Sequence, residues 1–169
     1  MLFDFVLIFV IIILTSAAYA SLKGAPWVPT VKHDVERAIK LANIKPGEVF
    51  YDLGCGDGRL VAAAADRGAK SIGIELSFFQ YLIAVIRNLS RPNTKIKCQN
   101  LFKTDLSQAD VVYFFLMPKH YQHIMQKFKQ ELKPGARVVA YVWPIKEWTP
   151  VKIDKIDKKC ALYLYEIKQ

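Results

Sequence analysis

Past residue 30 the spacing of apolar positions switches repeatedly between a helical and an extended period. Val35, Ala38, Ile39, Leu41 and Ala42 recur at helical spacing, and Asn43 to Gly47 reads as the turn that ends that helix. An apolar strand over 48–53 then runs through Gly54, Gly56 and Gly58 into an Ala-rich helix over about 59–67. The pattern continues as a strand over 71–76, a helix from Ser77 to about Leu89, and strands over 95–99 and 111–116. A helix over 118–132 and a Lys133-Pro134-Gly135 turn lead to a strand over 137–142. Two last runs, 151–157 and 161–167, are divided by Lys158-Lys159 and predict a terminal hairpin. Strands alternating with helices and closed by a hairpin predict a doubly wound α/β sheet with a late antiparallel strand. Thr30 and Ser77 are the expected side-chain caps of the helices that follow them.

The N-terminus follows a different rule. Residues 5–22 carry no charge between Asp4 and Lys23, a run of about 18 residues that reaches the lower limit for crossing a bilayer. Only acidic Asp4 precedes it, which speaks against a cleaved signal peptide. A helix apolar on all sides is also hard to bury in so small a domain. The expectation is a transmembrane anchor over 1–22, a linker and N-terminal helix over 23–47, and the main domain over 48–169. Lys23, Lys32 and Arg37 follow the run, so the positive-inside rule places this single-pass protein with its domain facing the cytoplasm.

At 169 residues, with 53% hydrophobic and 23% charged, the chain holds one globular domain and a short appendage. A net charge of +9 favours phosphate-rich or acidic neighbours, yet the lysines are dispersed, which reads as a solvated basic surface. Cys55, Cys98 and Cys160 are odd in number and never in C-x-x-C spacing, so neither a zinc site nor a disulfide framework is indicated. His120 and His123 have no Cys, Asp or Glu at ligand spacing and read as a solvated helix face.

The densest chemistry is Tyr51-Asp52-Leu53-Gly54-Cys55-Gly56-Asp57-Gly58-Arg59-Leu60. A strand, a tight glycine loop and a helix start bring backbone N–H groups against a polar ligand. The spacing is D-x-G-x-G-x-G rather than the G-x-G-x-x-G typical of dinucleotide folds. Glu75 closes the next strand, where a ribose diol needs an acceptor.

Together these residues resemble motif I and the acidic ribose-binding position of class I S-adenosylmethionine (SAM) methyltransferases. Trp27-Val28-Pro29-Thr30, Gly73-Ile74-Glu75-Leu76, the stretch from Leu132 to Val139 and Trp148-Thr149-Pro150 extend the likeness. The chain is thereby similar to the short seven-β-strand protein lysine methyltransferases, over roughly residues 25 to 166. The resemblance implies a doubly wound, Rossmann-like, seven-stranded sheet, mostly parallel with the last strand antiparallel, with SAM as cofactor. It implies that Asp52, Gly54, Cys55, Gly56 and Gly58 hold the methionine part of SAM, and that Glu75 and Leu76 meet the ribose. Asn100 and Leu101 match the adenine-edge position, where an amide is a weaker acceptor than the usual carboxylate. The Trp27–Thr30 motif is expected to fold over cofactor and substrate.

Methyl transfer to an amine requires alignment and a neutral amine more than a covalent nucleophile. Trp27, Tyr141 and Trp143 are the candidates for an aromatic wall around it. Amide and adenine methyltransferases commonly carry an (Asn/Asp)-Pro-Pro-aromatic motif after the fourth strand. Phe115-Leu116-Met117-Pro118 stands there instead, which disfavours a nucleic-acid base as acceptor. The expected acceptor is a lysine of a membrane or membrane-proximal protein. A lipid, quinone or other small hydrophobic acceptor, and a non-catalytic SAM-binding membrane protein, are the competing readings.

Overall fold

A computed structural model describes Met1, residues 3–8, Ile11, Thr15 and residues 28–168. The elements in chain order are α1 (Lys32–Ala42), β1 (Val49–Leu53), α2 (Arg59–Ala65), β2 (Lys70–Glu75), α3 (Phe78–Asn88) and β3 (Thr94–Cys98). They continue with β4 (Val111–Phe114), α4 (Tyr121–Glu131), β5 (Arg137–Tyr141), β6 (Lys152–Asp154) and β7 (Leu162–Glu166). Short 3-10 turns, Leu101–Lys103 and Pro118–His120, follow β3 and precede α4. The helix expected from Pro118 therefore opens as a 3-10 turn and becomes α-helical at Tyr121.

The strands form one sheet in the order β3-β2-β1-β4-β5-β7-β6. Strands β1 to β5 run parallel, and β7 is antiparallel to both β5 and β6. The order reverses between β1 and β4, which opens a crevice at the carboxyl ends of those two strands. The strand pleat sorts the core into two layers. Tyr51, Leu53, Val112, Phe114 and Val138 face Ile124 and Phe128 of α4. Phe50, Val111, Tyr113, Val139 and Tyr141 face α1 and α2 through Val35, Ile39, Leu60 and Ala64.

Helix α1 is fixed to the far end of the sheet by buried Arg37. Its guanidinium donates to both Asp154 carboxylate oxygens, to Asp34 Oδ1 and to the Cys160 carbonyl. Neither expected cap forms. Val31 stands at the N-cap of α1, and the Thr30 hydroxyl lies 3.3 Å from the Tyr113 hydroxyl instead. Ser77 occupies the N-cap of α3 without a side-chain cap bond, and its backbone N–H donates to Glu75.

The transmembrane expectation is corrected. At the N-terminus, helical backbone is described for residues 3–8, Ile11 and Thr15, and most of the apolar run 5–22 lies outside the described residues. Among the described residues no helix is long and apolar enough to cross a membrane. The single-pass anchor, and the cytoplasm-facing placement that depended on it, are withdrawn.

Candidate active site

Asp52 is the penultimate residue of β1 at the crevice, 2% exposed, with Oδ2 lacking any protein partner. Burial, and then the negative charges of Glu75 and Asp57, push its carboxyl well above the usual carboxylate range. The glycine loop follows. Gly54 and Cys55 both donate their N–H groups to the Ile74 carbonyl at 2.9 Å, which holds the loop against β2. Gly58, at φ +74°, turns the loop into α2.

Two features of neighbouring elements make room for this loop. Gly73 in β2 lets it settle, since a Cβ there would lie 2.7 Å from Cys55 Sγ and 2.8 Å from Val61. Helix α3 turns Gln80, Ala84 and Asn88 inward, and Asn88 Nδ2 donates to the Gly58 carbonyl at 3.2 Å. Leu82 and Ile86 of the same helix, and Leu89 just past its end, are left exposed. The buried side of α3 is mixed: Ala84 packs with Cys55 and Val61, while Asn88 meets loop backbone.

Glu75 does more than the sequence indicates. Its Oε2 accepts from the Gly56 N–H at 2.8 Å, and its Oε1 accepts from Leu76 and Ser77 at 2.8 and 2.7 Å. These bonds use three of the carboxylate's roughly four lone-pair sites, so Glu75 first holds the loop and retains limited capacity for a ribose hydroxyl. Asn100 Oδ1 accepts from Phe102 N–H at 2.9 Å, and the amide thus caps the 3-10 turn that carries Leu101. Beyond it, Phe102 stacks on His123 with ring centroids 4.1 Å apart.

The aromatic candidates separate. Trp27 lies outside the described residues. Tyr141 is 5% exposed and donates its hydroxyl to Asp34 Oδ2 at 2.6 Å. It is packed beneath α1 and edge-on to Phe115, ring centroids 4.9 Å apart, behind the residues that line the cleft. Trp143 is half-buried and stacks on Phe115, centroids 5.8 Å apart, and Phe115 does line the cleft. Between the two, Val142 sits at φ +75°, and Trp143 N–H donates to the Tyr141 carbonyl at 3.1 Å. This is a tight γ-turn at a β-branched residue, a strained conformation that swings Trp143 out of the strand and across Phe115.

The cleft, about 30 Å³ in volume, is walled by Val28, Pro29 and Thr30 on one side. Asp52, the loop from Gly54 to Asp57, Arg59, Leu60, Tyr113 and Phe115 form the rest. Asp57, Arg59 and Tyr113 were not singled out from the sequence. Asp57 and Arg59 stand inside the motif, but their partners are distant in the chain.

Two observations fit the methionine end of SAM. Asp52 Oδ2 is a buried, unpartnered acceptor for an ammonium, and a Cβ built on Gly54 would meet nothing within 4 Å. A sheet of this order with this loop at its switch point defines a SAM-dependent methyltransferase. The family model described as the ANTKMT methyltransferase domain matches residues 52–152. A protein-lysine N-methyltransferase of Saccharolobus islandicus is 33% identical over 150 residues, covering 84% of this chain and 93% of that protein. The chain belongs to this family, and SAM is its cofactor. The ATP synthase c-subunit lysine N-methyltransferase of Homo sapiens is 32% identical over 130 residues, covering 74% of this chain. The chain spans 54% of that relative's length. A crystal structure of an RNA methyltransferase from Salinibacter ruber with S-adenosyl-L-homocysteine matches at TM-score 0.80 and 30% identity, over 84% of this chain and 95% of that one.

Proposed function

We propose that the chain methylates lysine side chains of proteins, with membrane-proximal proteins the acceptors to examine first. The observation that carries this reading is the match to an archaeal protein-lysine N-methyltransferase over 93% of that protein's length. The names of two further relatives, lysine methyltransferases of the adenine nucleotide translocase and of ATP synthase, support the acceptor class.

When bound, SAM supplies an electrophilic methyl group. The chain's own residues hold its neighbourhood in place. Asp52 offers Oδ2 to the ammonium end, and the loop backbone keeps its height through Glu75. Burial raises the phenol pKa values of Tyr113 and Tyr141, the latter further through Asp34, so both stay protonated at neutral pH. They therefore donate hydrogen bonds and do not act as bases. Val28, Pro29 and Phe115 give the cleft an apolar side along which a lysine stem can lie, and transfer requires its amine to be neutral.

A nucleic-acid acceptor is the second reading, favoured by the likeness to the Salinibacter ruber RNA methyltransferase. Incubation with labelled SAM and a total extract, followed by separation of protein, RNA and lipid, tests these readings. Label on lysine side chains is expected. Label confined to RNA, or to lipid or quinone, overturns the proposal.

A further inference from the structure

We infer that Arg59 is a positioning residue for methyl transfer, acting through the N-terminal segment 28–30; the inference rests on the function proposed above. The Arg59 guanidinium is occupied on two sides. Nε and Nη2 hold the Asp57 carboxylate at 2.8 and 2.5 Å, and Nη1 donates to the Thr30 carbonyl at 2.7 Å. Asp57 is itself held by Arg87 of α3, whose Nε donates to the Asp57 carbonyl and Nη2 to Oδ2, at 2.8 and 2.9 Å. Burial alone would raise the Asp57 carboxyl, but hydrogen bonds and charge from Arg59, with the charge of Arg87, bring it below its usual range. Arg59 thus has a fixed anchor on the glycine loop and spends its remaining edge on the segment above.

The segment has a second pin. The Thr30 hydroxyl meets Tyr113, a buried residue of β4, at 3.3 Å. Carbonyl and hydroxyl of one residue are therefore tied to two elements that both line the cleft. Segment 28–30 is the wall facing the loop across the cleft. An amine that reaches a group held by the loop passes against this wall, so its placement bears on their alignment. Lysine replaces Arg59 only in part, because an ammonium is a single point of charge and cannot hold a carboxylate and a carbonyl in one plane.

The test compares Arg59→Ala, Arg59→Lys, Tyr113→Phe and the Arg59→Ala/Tyr113→Phe double variant in the full chain, with thermal melts confirming folding. Arg59→Ala is expected to lower kcat on a protein acceptor by about 10- to 100-fold with KM for that acceptor little changed. Arg59→Lys should fall between it and wild type. S-adenosylhomocysteine should dissociate several-fold faster from Arg59→Ala, since the wall over the loop is loosened, a readout that needs no acceptor. Both pins act on Thr30, so the double variant should lose about as much as the worse single one. Wild-type dissociation and turnover in Arg59→Ala, or losses that multiply in the double variant, overturn the inference. If the wild type labels no protein, the lysine reading fails, while the dissociation rates still decide the role of Arg59.

Discussion

The Glu75 carboxylate accepts the Gly56 N–H at 2.8 Å, so the end of β2 supports the loop that leaves β1. Through its other oxygen it also gathers the two N–H groups that open the turn into α3. A single side chain therefore fixes three backbone donors around the cofactor position. Glu75→Gln replaces one acceptor oxygen by a donor that faces an N–H. A loss of about 2–3 kcal/mol in ligand-free stability is expected, together with a weakening of S-adenosylhomocysteine binding by about 10-fold or more. Urea denaturation with and without ligand separates the two effects. Unchanged ligand-free stability would mean that Glu75 serves the ribose alone.

Asp52 ties the site to pH. Its carboxyl is raised in the folded protein by burial first, then by Glu75 and Asp57. A group with a raised folded pKa contributes its stability below the unfolded value, near 3.9, and loses it as pH climbs through the folded value. Asp52→Asn should therefore raise the melting temperature of the ligand-free protein at pH 7–8, with the gain shrinking toward pH 4. The same substitution should weaken cofactor binding, and in the wild type binding should weaken as pH falls, because the proton must leave to receive an ammonium. Melting curves and calorimetry across that pH range check both signs. A destabilised ligand-free Asp52→Asn protein would contradict this account.

Gly58 joins the loop to two helices. A Cβ at its φ of +74° would lie 2.7 Å from Asn88 Nδ2 and 3.0 Å from the Ala84 Cβ. Gly58→Ala combines about 1–2 kcal/mol of backbone strain with about 1–3 kcal/mol of overpacking. Chemical denaturation should show a loss within the sum of these ranges. Gly54→Ala, with open space around the new Cβ, should show only the backbone share while impairing cofactor binding more.

The contrast between local and distant contacts explains what the sequence reveals. Gly54, Gly56 and Gly58 are legible because strand, turn and helix start are consecutive, and Glu75 because the next strand must return beside the first. The strand–helix alternation follows from apolar periodicity, and the elements agree to within a few residues. The Thr30–Arg59 and Asp34–Tyr141 contacts span 29 and 107 residues and leave no local trace. For the same reason Thr30 reads as a helix cap when its hydroxyl belongs to Tyr113. Tyr141 and Trp143 look alike at the end of one strand, because nothing in the letters announces the positive φ of Val142 between them.

That turn yields a sharp comparison. The Tyr141 hydroxyl donates to Asp34, and burial of that carboxyl is more than offset by hydrogen bonds from Tyr141, Arg37 and His33, leaving its pKa lowered. Tyr141→Phe should cost about 1–2 kcal/mol of stability at neutral pH. The loss should diminish below about pH 4, as the carboxylate of Asp34 is protonated. Turnover should stay within a few-fold of wild type, because phenylalanine keeps the ring edge-on to Phe115 and loses only the bond to Asp34. Trp143→Ala removes the plane stacked on Phe115 at the cleft, and turnover should fall by about 10-fold or more with cofactor affinity little changed. Val142→Gly tests the connection between them. Glycine adopts φ +75° freely, so the strain of about 1–3 kcal/mol is relieved and offsets much of the packing lost with the valine. The freed turn no longer aims Trp143, and turnover should drop toward that of Trp143→Ala in a protein that melts near the wild-type temperature. Equal turnover losses in Tyr141→Phe and Trp143→Ala, or full turnover in Val142→Gly, would show that the turn does not position the wall of the site.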